Sequence, residues 1–338
     1  MSEFPEDLDP RGDMDAPTRY TFRPGSIILD EAGRPPAWWG YGDEILGACG
    51  ESLIIAGPMG LGKSTIGQQL ALGRCGFSEY SELFGLPITP GRGRVLYLAM
   101  DRPRQITRSM RRMVGEAWRA ELDERLAVWT GPPPYDMAKH PGILARLALD
   151  AGADTVVVDS LKDAAVGLTD DETGAGYNRA RQTALEAGIE LVELHHVRKL
   201  GGGVTRDKPT VDDIYGSTWI TAGAGSVLLL HGAPGDGLVK LFHVKQPLAE
   251  VGPLTVLHDH DSGRSTIAER VDLLTLAKAR GSLSALDAAV VLFDAEKPTP
   301  AEKEKARRRL DALARNGVLA VVDEGEKATN RPRLWGAA

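Results

Sequence analysis

Cysteine is nearly missing from this chain, with only Cys49 and Cys75 among 338 residues. Two thiols build neither a disulfide framework nor a thiolate metal cluster, so a reducing, cytoplasmic setting is expected. No apolar run reaches the roughly 20 residues that a membrane-spanning helix needs, so no membrane is expected. The opening residues MSEFPEDLDP are acidic and lack the basic and apolar regions of a secretory signal. Bulk positive charge is absent too. The formal net charge is −7, which argues against a protein held on nucleic acid by overall charge but leaves local basic patches open. There is no internal repeat and no low-complexity tract.

What is present is a globular composition, 42% hydrophobic and 26% charged. Its length suits one large domain with small modules. Basic patches do occur. From Arg102 to Arg119 six arginines face one acid, Glu116, and residues 301–338 carry nine basic and six acidic residues. Residues 1–42 are rich in Pro, Gly and acids and are predicted to form a flexible arm. The arm ends in Trp38, Trp39 and Tyr41. These aromatics either cap the main domain or dock on a neighbouring subunit.

Between residues 43 and 262, apolar runs such as SLIIAG, RVLYLAM, LAVWTG, DTVVVDS and ELVELHH alternate with helical stretches at 63–75, 102–119, 141–151 and 175–188. Continuous apolar strands interleaved with helices predict an α/β fold with a mostly parallel sheet. SVLLLHG, LVKLFHV and LTVLHD have only short turns between them and predict antiparallel hairpins at one edge. DHDSGRSTIAER reads as a linker. Beyond it, residues 266–338 show three helical patterns and a two-stranded ribbon, the outline of a small winged-helix domain.

The strongest motif is GPMGLGKST: Gly57, Pro58, Met59, Gly60, Leu61, Gly62, Lys63, Ser64 and Thr65. It satisfies the P-loop pattern and lies between a strand and a helix. Glycines let backbone N–H groups close around the phosphates of ATP. Lys63 would reach the β- and γ-oxygens and Ser64 would hold Mg²⁺. Asp159, ending the run TVVVD, is positioned to complete the Mg²⁺ site through water. Asp101 ends a second strand and would sit beside Asp159, facing the γ-phosphate; it also suits an N-cap for the next helix.

With this P-loop, LYLAMDRP, VVVDS and LHHVRK in order, residues 43–260 resemble a RecA-fold ATPase, most similar to hexameric helicases of the plasmid RepA and DnaB type. The resemblance implies Asp101 as catalytic base, although RepA-like proteins carry Glu in an Ala-Glu-Asp-Pro run. It implies His196, after His195, as the sensor of the γ-phosphate. It implies that the long loop after the sensor holds single-stranded DNA, through Arg198, Lys199, Arg206 and Lys208. The acidic TDDE of the other channel loop departs from a simple basic tunnel. A finger reaching the neighbour's ATP is written Lys-Gln-Arg in DnaB-like helicases. Here Lys245 and Gln246 match, Pro247 replaces the arginine, and Lys240 is the reserve. Arg104 or Arg108 stacking on adenine is a further option, beside a solvated basic face. HDHD, His258 to Asp261, resembles a metal cluster only on paper.

The resemblance implies an ATP-dependent, Mg²⁺-dependent helicase or translocase on single-stranded DNA. It would form a homo-oligomeric ring, a hexamer in that family, with replication partners such as a primase. A filament-forming recombinase, an ATP-binding regulatory switch and a small-molecule kinase remain open.

Overall fold

The computed structural model describes residues 24–30, 33–198, 208–233, 237–259, 261–269, 273–293, 295–315, 317–325 and 331–338. There are two compact units. The first ends at Ala268, residues 252–254 excepted, and the second contains Glu269–Ala338.

In the first unit a one-turn helix, α1 (Ile27–Asp30), precedes an antiparallel hairpin of β1 (Ala37–Tyr41) and β2 (Glu44–Ala48). Trp38 and Trp39 are buried in it. The Trp39 indole donates to the Leu83 carbonyl at 3.1 Å, and the Arg74 guanidinium lies 5.6 Å from the Trp38 ring centre. Trp38 and Trp39 therefore cap their own unit while Tyr41 is exposed, and the stretch read as a flexible arm up to residue 42 includes the strand β1.

The remaining elements are β3 (Leu53–Ala56), α2 (Lys63–Cys75), β4 (Glu82–Leu83), β5 (Leu86–Pro87), β6 (Arg94–Ala99), α3 (Pro103–Arg111), α4 (Arg119–Arg125), β7 (Leu126–Thr130), α5 (Ile143–Asp150), β8 (Ala153–Asp159), α6 (Leu161–Ala164), α7 (Asp171–Glu186), β9 (Glu190–His195), α8 (Thr218–Ala222), β10 (Ser226–His231), β11 (Leu238–Lys245), β12 (Leu254–Asp259) and β13 (Arg264–Glu269). A nine-stranded sheet has the order β13-β12-β11-β10-β3-β9-β8-β6-β7. The six strands from β10 to β7 are parallel, and β11 runs antiparallel to β10. The fold is α/β, with a mostly parallel sheet of the kind that builds a RecA-like P-loop core.

Burial explains the two strand patterns. Every residue of β3 is buried, and β8 and β9 each have a single half-buried residue. Strands covered on both faces must be apolar throughout. β11 alternates buried and half-buried positions, as a hairpin strand with one covered face does.

Two boundaries differ from the sequence reading. The 102–119 stretch is not one helix: α3 ends at Arg111, and Gly115 is extended before a short 3₁₀ turn at Glu116–Trp118. The stretch read as a linker is the turn and last strand of the main sheet. Gln69 of α2 pairs with the Ser265 backbone through both ends of its amide, at 2.7 and 3.2 Å. The main unit thus extends past residue 262.

Because the central strands are parallel, the segments leaving β3, β6, β8 and β9 emerge from one sheet edge. In open α/β sheets ligands bind in the crevice outside this carboxyl edge.

The second unit contains α9 (Leu273–Arg280), β14 (Leu283–Ser284), α10 (Ala285–Leu292), α11 (Pro300–Arg315), β15 (Leu319–Asp323) and β16 (Leu334–Ala337). Its sheet order is β14-β16-β15, with antiparallel pairs. Leu273, Leu283, Ala289, Leu310, Leu319 and Trp335 form its core. Ser284 and Asp287 make a reciprocal capping box at the start of α10.

Candidate nucleotide site

The loop from Gly57 to Gly62 joins buried β3 to α2, and Lys63 is the first residue of that helix. Gly60 and Gly62 take φ of +83° and +81°, a region open to glycine and costly for other residues. Gly62 is also hemmed in: a Cβ there would fall 2.1 Å from Cε1 of His258, on β12. The missing Cβ thus makes room for the His258 ring beside the loop. The Gly57 N–H donates to the His195 carbonyl at 3.3 Å and ties the cradle to β9.

Lys63 is buried. Its ammonium donates to the carbonyls of Gly57 and Pro58 at 2.8 and 2.7 Å. Burial lowers its pKa to about 8, and Asp159 opposes the fall. The lysine lies in the cradle as a partly desolvated cation, the state in which an anion gains most from it.

Asp159 ends β8 and is buried. Its carboxylate accepts from the Tyr97 hydroxyl at 2.8 Å and is hydrogen-bonded by Ser64. Burial pushes its pKa up despite these bonds and despite Lys63, and Asp101 adds to the rise. A carboxylate that two hydroxyls and a lysine leave under-compensated is one that a divalent cation would hold ionised. Ser64 and Asp159 therefore fit Mg²⁺, with nucleotide oxygens and water as the other ligands. Among the described residues no group of three or more His, Cys, Asp or Glu forms a metal cluster.

Asp101 follows β6, and its backbone N–H reaches the Asp159 carbonyl at 3.3 Å. Its carboxylate is partly exposed and lies 3.6 Å from the Arg102 guanidinium. Arg102, with φ of +48°, is the N-cap of α3, so Asp101 does not fill that place. His196 is half-buried. Burial lowers its pKa, with Lys63 and Lys162 adding to the fall and Asp101 and Asp163 opposing it. It is neutral at pH 7 and has an N–H to donate. His195, buried, has a pKa lowered to about 3 by burial, and its Nε2 meets the Tyr215 carbonyl at 2.6 Å. Sequence reasoning missed Tyr97, because a tyrosine within an apolar strand run gives no signal of what its hydroxyl meets.

A lysine, a hydroxyl and a buried carboxylate thus converge on a P-loop carried by a parallel sheet. A family model described as an AAA domain matches residues 17–202. The chain belongs to this family. No curated protein matches it. The AAA domain assignment makes this a nucleotide-binding P-loop unit of the ATPase type, and the matched span includes Lys63, Ser64, Asp101, Asp159 and His196.

The remaining candidates of this AAA domain protein lie apart from the cradle. Lys245 pairs across from Val227, at the start of β10, whereas the cradle leaves the far end of parallel β3. Its ammonium donates to the carbonyls of Thr221 and Ala222, at the end of α8. Lys240 lies nearer the cradle end, opposite His231, and donates to Thr255 at 3.0 Å. Arg104 does not face α2. Ile106 and Ser109 hold the α2 residue Gln68, at 3.1 and 3.0 Å. Arg104 and Arg108, two positions to either side of Ile106, lie on the opposite face of α3.

Arg198 is exposed, but its guanidinium donates to the Ile214 and Gly216 carbonyls at 3.0 and 2.9 Å. These bonds staple the stem of its loop. Lys208 is exposed; Lys199 and Arg206 lie outside the described residues. His258 meets Ser265 at 2.7 Å and packs on Gly62. That gives it a place in the fold that HDHD as a motif did not suggest. Among the described residues no helix is long and apolar enough to cross a membrane.

Proposed function

We propose that this protein is a Mg²⁺-dependent ATPase that moves on single-stranded DNA as a homo-oligomeric ring, a helicase or translocase of the RepA and DnaB type. One observation carries the reading: the sensor candidate is directly bonded to the loop assigned to DNA. The His196 carbonyl accepts from the Tyr215 N–H at 3.0 Å, and the His195 ring meets the Tyr215 carbonyl. Ser217 in turn donates to Leu168 of the other channel loop at 2.7 Å. A change at the γ-phosphate therefore reaches both loops through a few hydrogen bonds. A small-molecule kinase has no use for this link.

In the proposed chemistry Lys63 binds the β/γ oxygens, and Ser64 and Asp159 would hold Mg²⁺, which would neutralise phosphate charge. Asp101 orients the attacking water, leaving Arg102 to do so. Neutral His196 donates to the γ-phosphate. Lys245 lies at the opposite sheet end and serves the ATP of a neighbouring subunit, after leaving the α8 carbonyls. Lys208 contacts the strand.

The second unit has the element order helix, strand, helix, helix, strand, strand, and is read as a winged helix. On α11, Arg307 is paired with Glu304 and Asp311, and Arg308 with Glu304. Exposed pairs of this kind contribute little and exchange readily for phosphates or a partner's acids. Strand displacement from a tailed duplex tests the function. ATP-dependent unwinding by the wild type, absent in Lys63→Ala, is expected. ATP-driven strand exchange on helical filaments would point to a recombinase instead.

A further inference from the structure

Strand β12 alternates buried and more exposed residues, and its first two buried positions, Leu254 and Val256, are apolar. The third buried position is His258. A polar ring where an aliphatic side chain would serve the core points to a task beyond packing. The His258 N–H donates to the Gly237 carbonyl at 2.8 Å, which fixes the strand at this residue. The ring itself lies against the P-loop. A Cβ on Gly62 would fall 2.1, 2.5 and 2.7 Å from its Cε1, Nε2 and Nδ1.

The ring is held from behind. Its Nδ1 meets the Ser265 hydroxyl of β13 at 2.7 Å. The Ser265 backbone is held in turn by both ends of the Gln69 amide, at 2.7 and 3.2 Å. Next to Ser265, the Arg264 guanidinium lies 4.7 Å from the Tyr80 ring centre, and the Tyr80 hydroxyl donates to the Met113 carbonyl at 2.6 Å. The contacts close a circuit. Gln69, about two turns into α2, holds Ser265. Ser265 holds His258, and His258 returns to Gly62, the N-cap of the same helix.

Gly62 is a residue that gains from such support. Its carbonyl accepts the first helical bond, from the Ile66 N–H at 3.0 Å, but no side chain caps the N-terminus of α2. Its φ is +81°. Glycine reaches positive and negative φ about equally well, so the residue alone does not keep the conformation in which its N–H can close on a phosphate. A loop that its ligand must first put in order binds less tightly than one already in shape. We propose that His258 is a positioning residue of the nucleotide site, whose ring braces Gly62 in the phosphate-binding conformation before the nucleotide arrives. This rests on the ATP binding proposed above, and on neither the DNA path nor the ring.

The test is calorimetric titration of the full chain with a non-hydrolysable ATP analogue and Mg²⁺, beside steady-state ATP hydrolysis. His258→Ala is expected to weaken binding about 5- to 30-fold, the cost of fixing one backbone residue on binding. KM for ATP should rise with it while kcat holds, because saturating nucleotide orders the loop by itself. His258→Asn keeps an amide for Ser265 but loses the ring edge on Gly62, and is expected to match His258→Ala. Gly62→Ala places a Cβ where the ring stands and should bind poorly. Gly62→Ala with His258→Ala should regain at least about twofold over Gly62→Ala, the lower end of coupling between touching residues. Wild-type affinity in His258→Asn would make the ring a packing group of the hairpin and overturn the proposal, as would a double variant no tighter than Gly62→Ala. Thermal melts check the fold. Should the His258 variants melt below the assay temperature, Ser265→Ala decides, since it frees the ring without removing it: a loss of about 2- to 10-fold is expected, and unchanged affinity overturns the brace. A wild type that binds no nucleotide overturns the ATPase reading and the brace with it, whereas the other failures leave that reading standing.

Discussion

At one end of the parallel sheet Lys63 donates to two backbone carbonyls of its own loop; at the other, Lys245 donates to two carbonyls at the end of α8. Burial lowers the pKa of both, and Asp159 opposes the shift at Lys63 as Glu51 does at Lys245. The difference lies in what surrounds them. Around Lys63 stand Ser64, Asp159, Asp101 and His196, groups that suit a polyphosphate and its metal. Around Lys245 stand another cation, Arg181, which lowers its pKa further, and the acid Glu51, which opposes the fall. Similar anchoring thus holds one lysine among groups that suit a polyphosphate and the other apart from them. The proposed ring would give Lys245 the ATP of a neighbouring subunit in place of the α8 carbonyls.

The sharpest way to break this comparison is to remove each lysine in turn. Lys63→Ala should lose nucleotide affinity by about 100-fold or more, because two charge-assisted contacts to phosphate go together; calorimetric titration with a non-hydrolysable ATP analogue checks this. Lys245→Ala should bind nucleotide normally and hydrolyse it about 10³-fold more slowly, the lower range for a fully engaged finger. Mixing it with Asp101→Asn should restore part of the rate, since some interfaces regain both groups. Unrestored activity would return Lys245 to a purely structural task.

Between the two ends lies a buried charge cluster. Arg181 of α7 holds Glu193 of β9 through Nε at 3.1 and 3.0 Å, and the Tyr177 hydroxyl donates to the same carboxylate at 2.8 Å. Arg181→Ala strands a buried carboxylate and should cost about 3–5 kcal/mol of stability in chemical denaturation. The smallest effect expected is on acid stability. His195 and His243 both have pKa values lowered to about 3 by burial. As pH falls below about 6.5 the unfolded chain binds protons that the folded chain refuses, so stability is lost from there down toward about 3. Each histidine contributes a slope of up to about 1.4 kcal/mol per pH unit. His243→Asn should flatten the profile in denaturant melts between pH 6.5 and 4.5.

The cradle end was legible in the sequence because its chemistry is local. The P-loop glycines, Lys63 and Ser64 are contiguous, and Asp159 announces itself by ending an apolar run. The parallel sheet was legible for the same reason, since strands buried on both faces cannot hide their composition. Contacts made across the fold were not. Nothing in LAMDRPRQ says that Arg104 turns away from α2, and nothing in HHVRK says that Arg198 bonds the far side of its own loop. The turn before β13 read as a linker because its polar residues are those of a hairpin tip. Ser265 counts as a core residue only once Gln69 has met it.

The most direct measurement of the central claim is the ATP hydrolysis rate with and without single-stranded DNA, with the mass of the nucleotide-bound assembly determined in parallel. The expected result is a slow basal rate, strong stimulation by single strands with little by duplex, and a closed oligomer. A nucleotide-bound monomer whose rate ignores single-stranded DNA would contradict both the shared site and the motor.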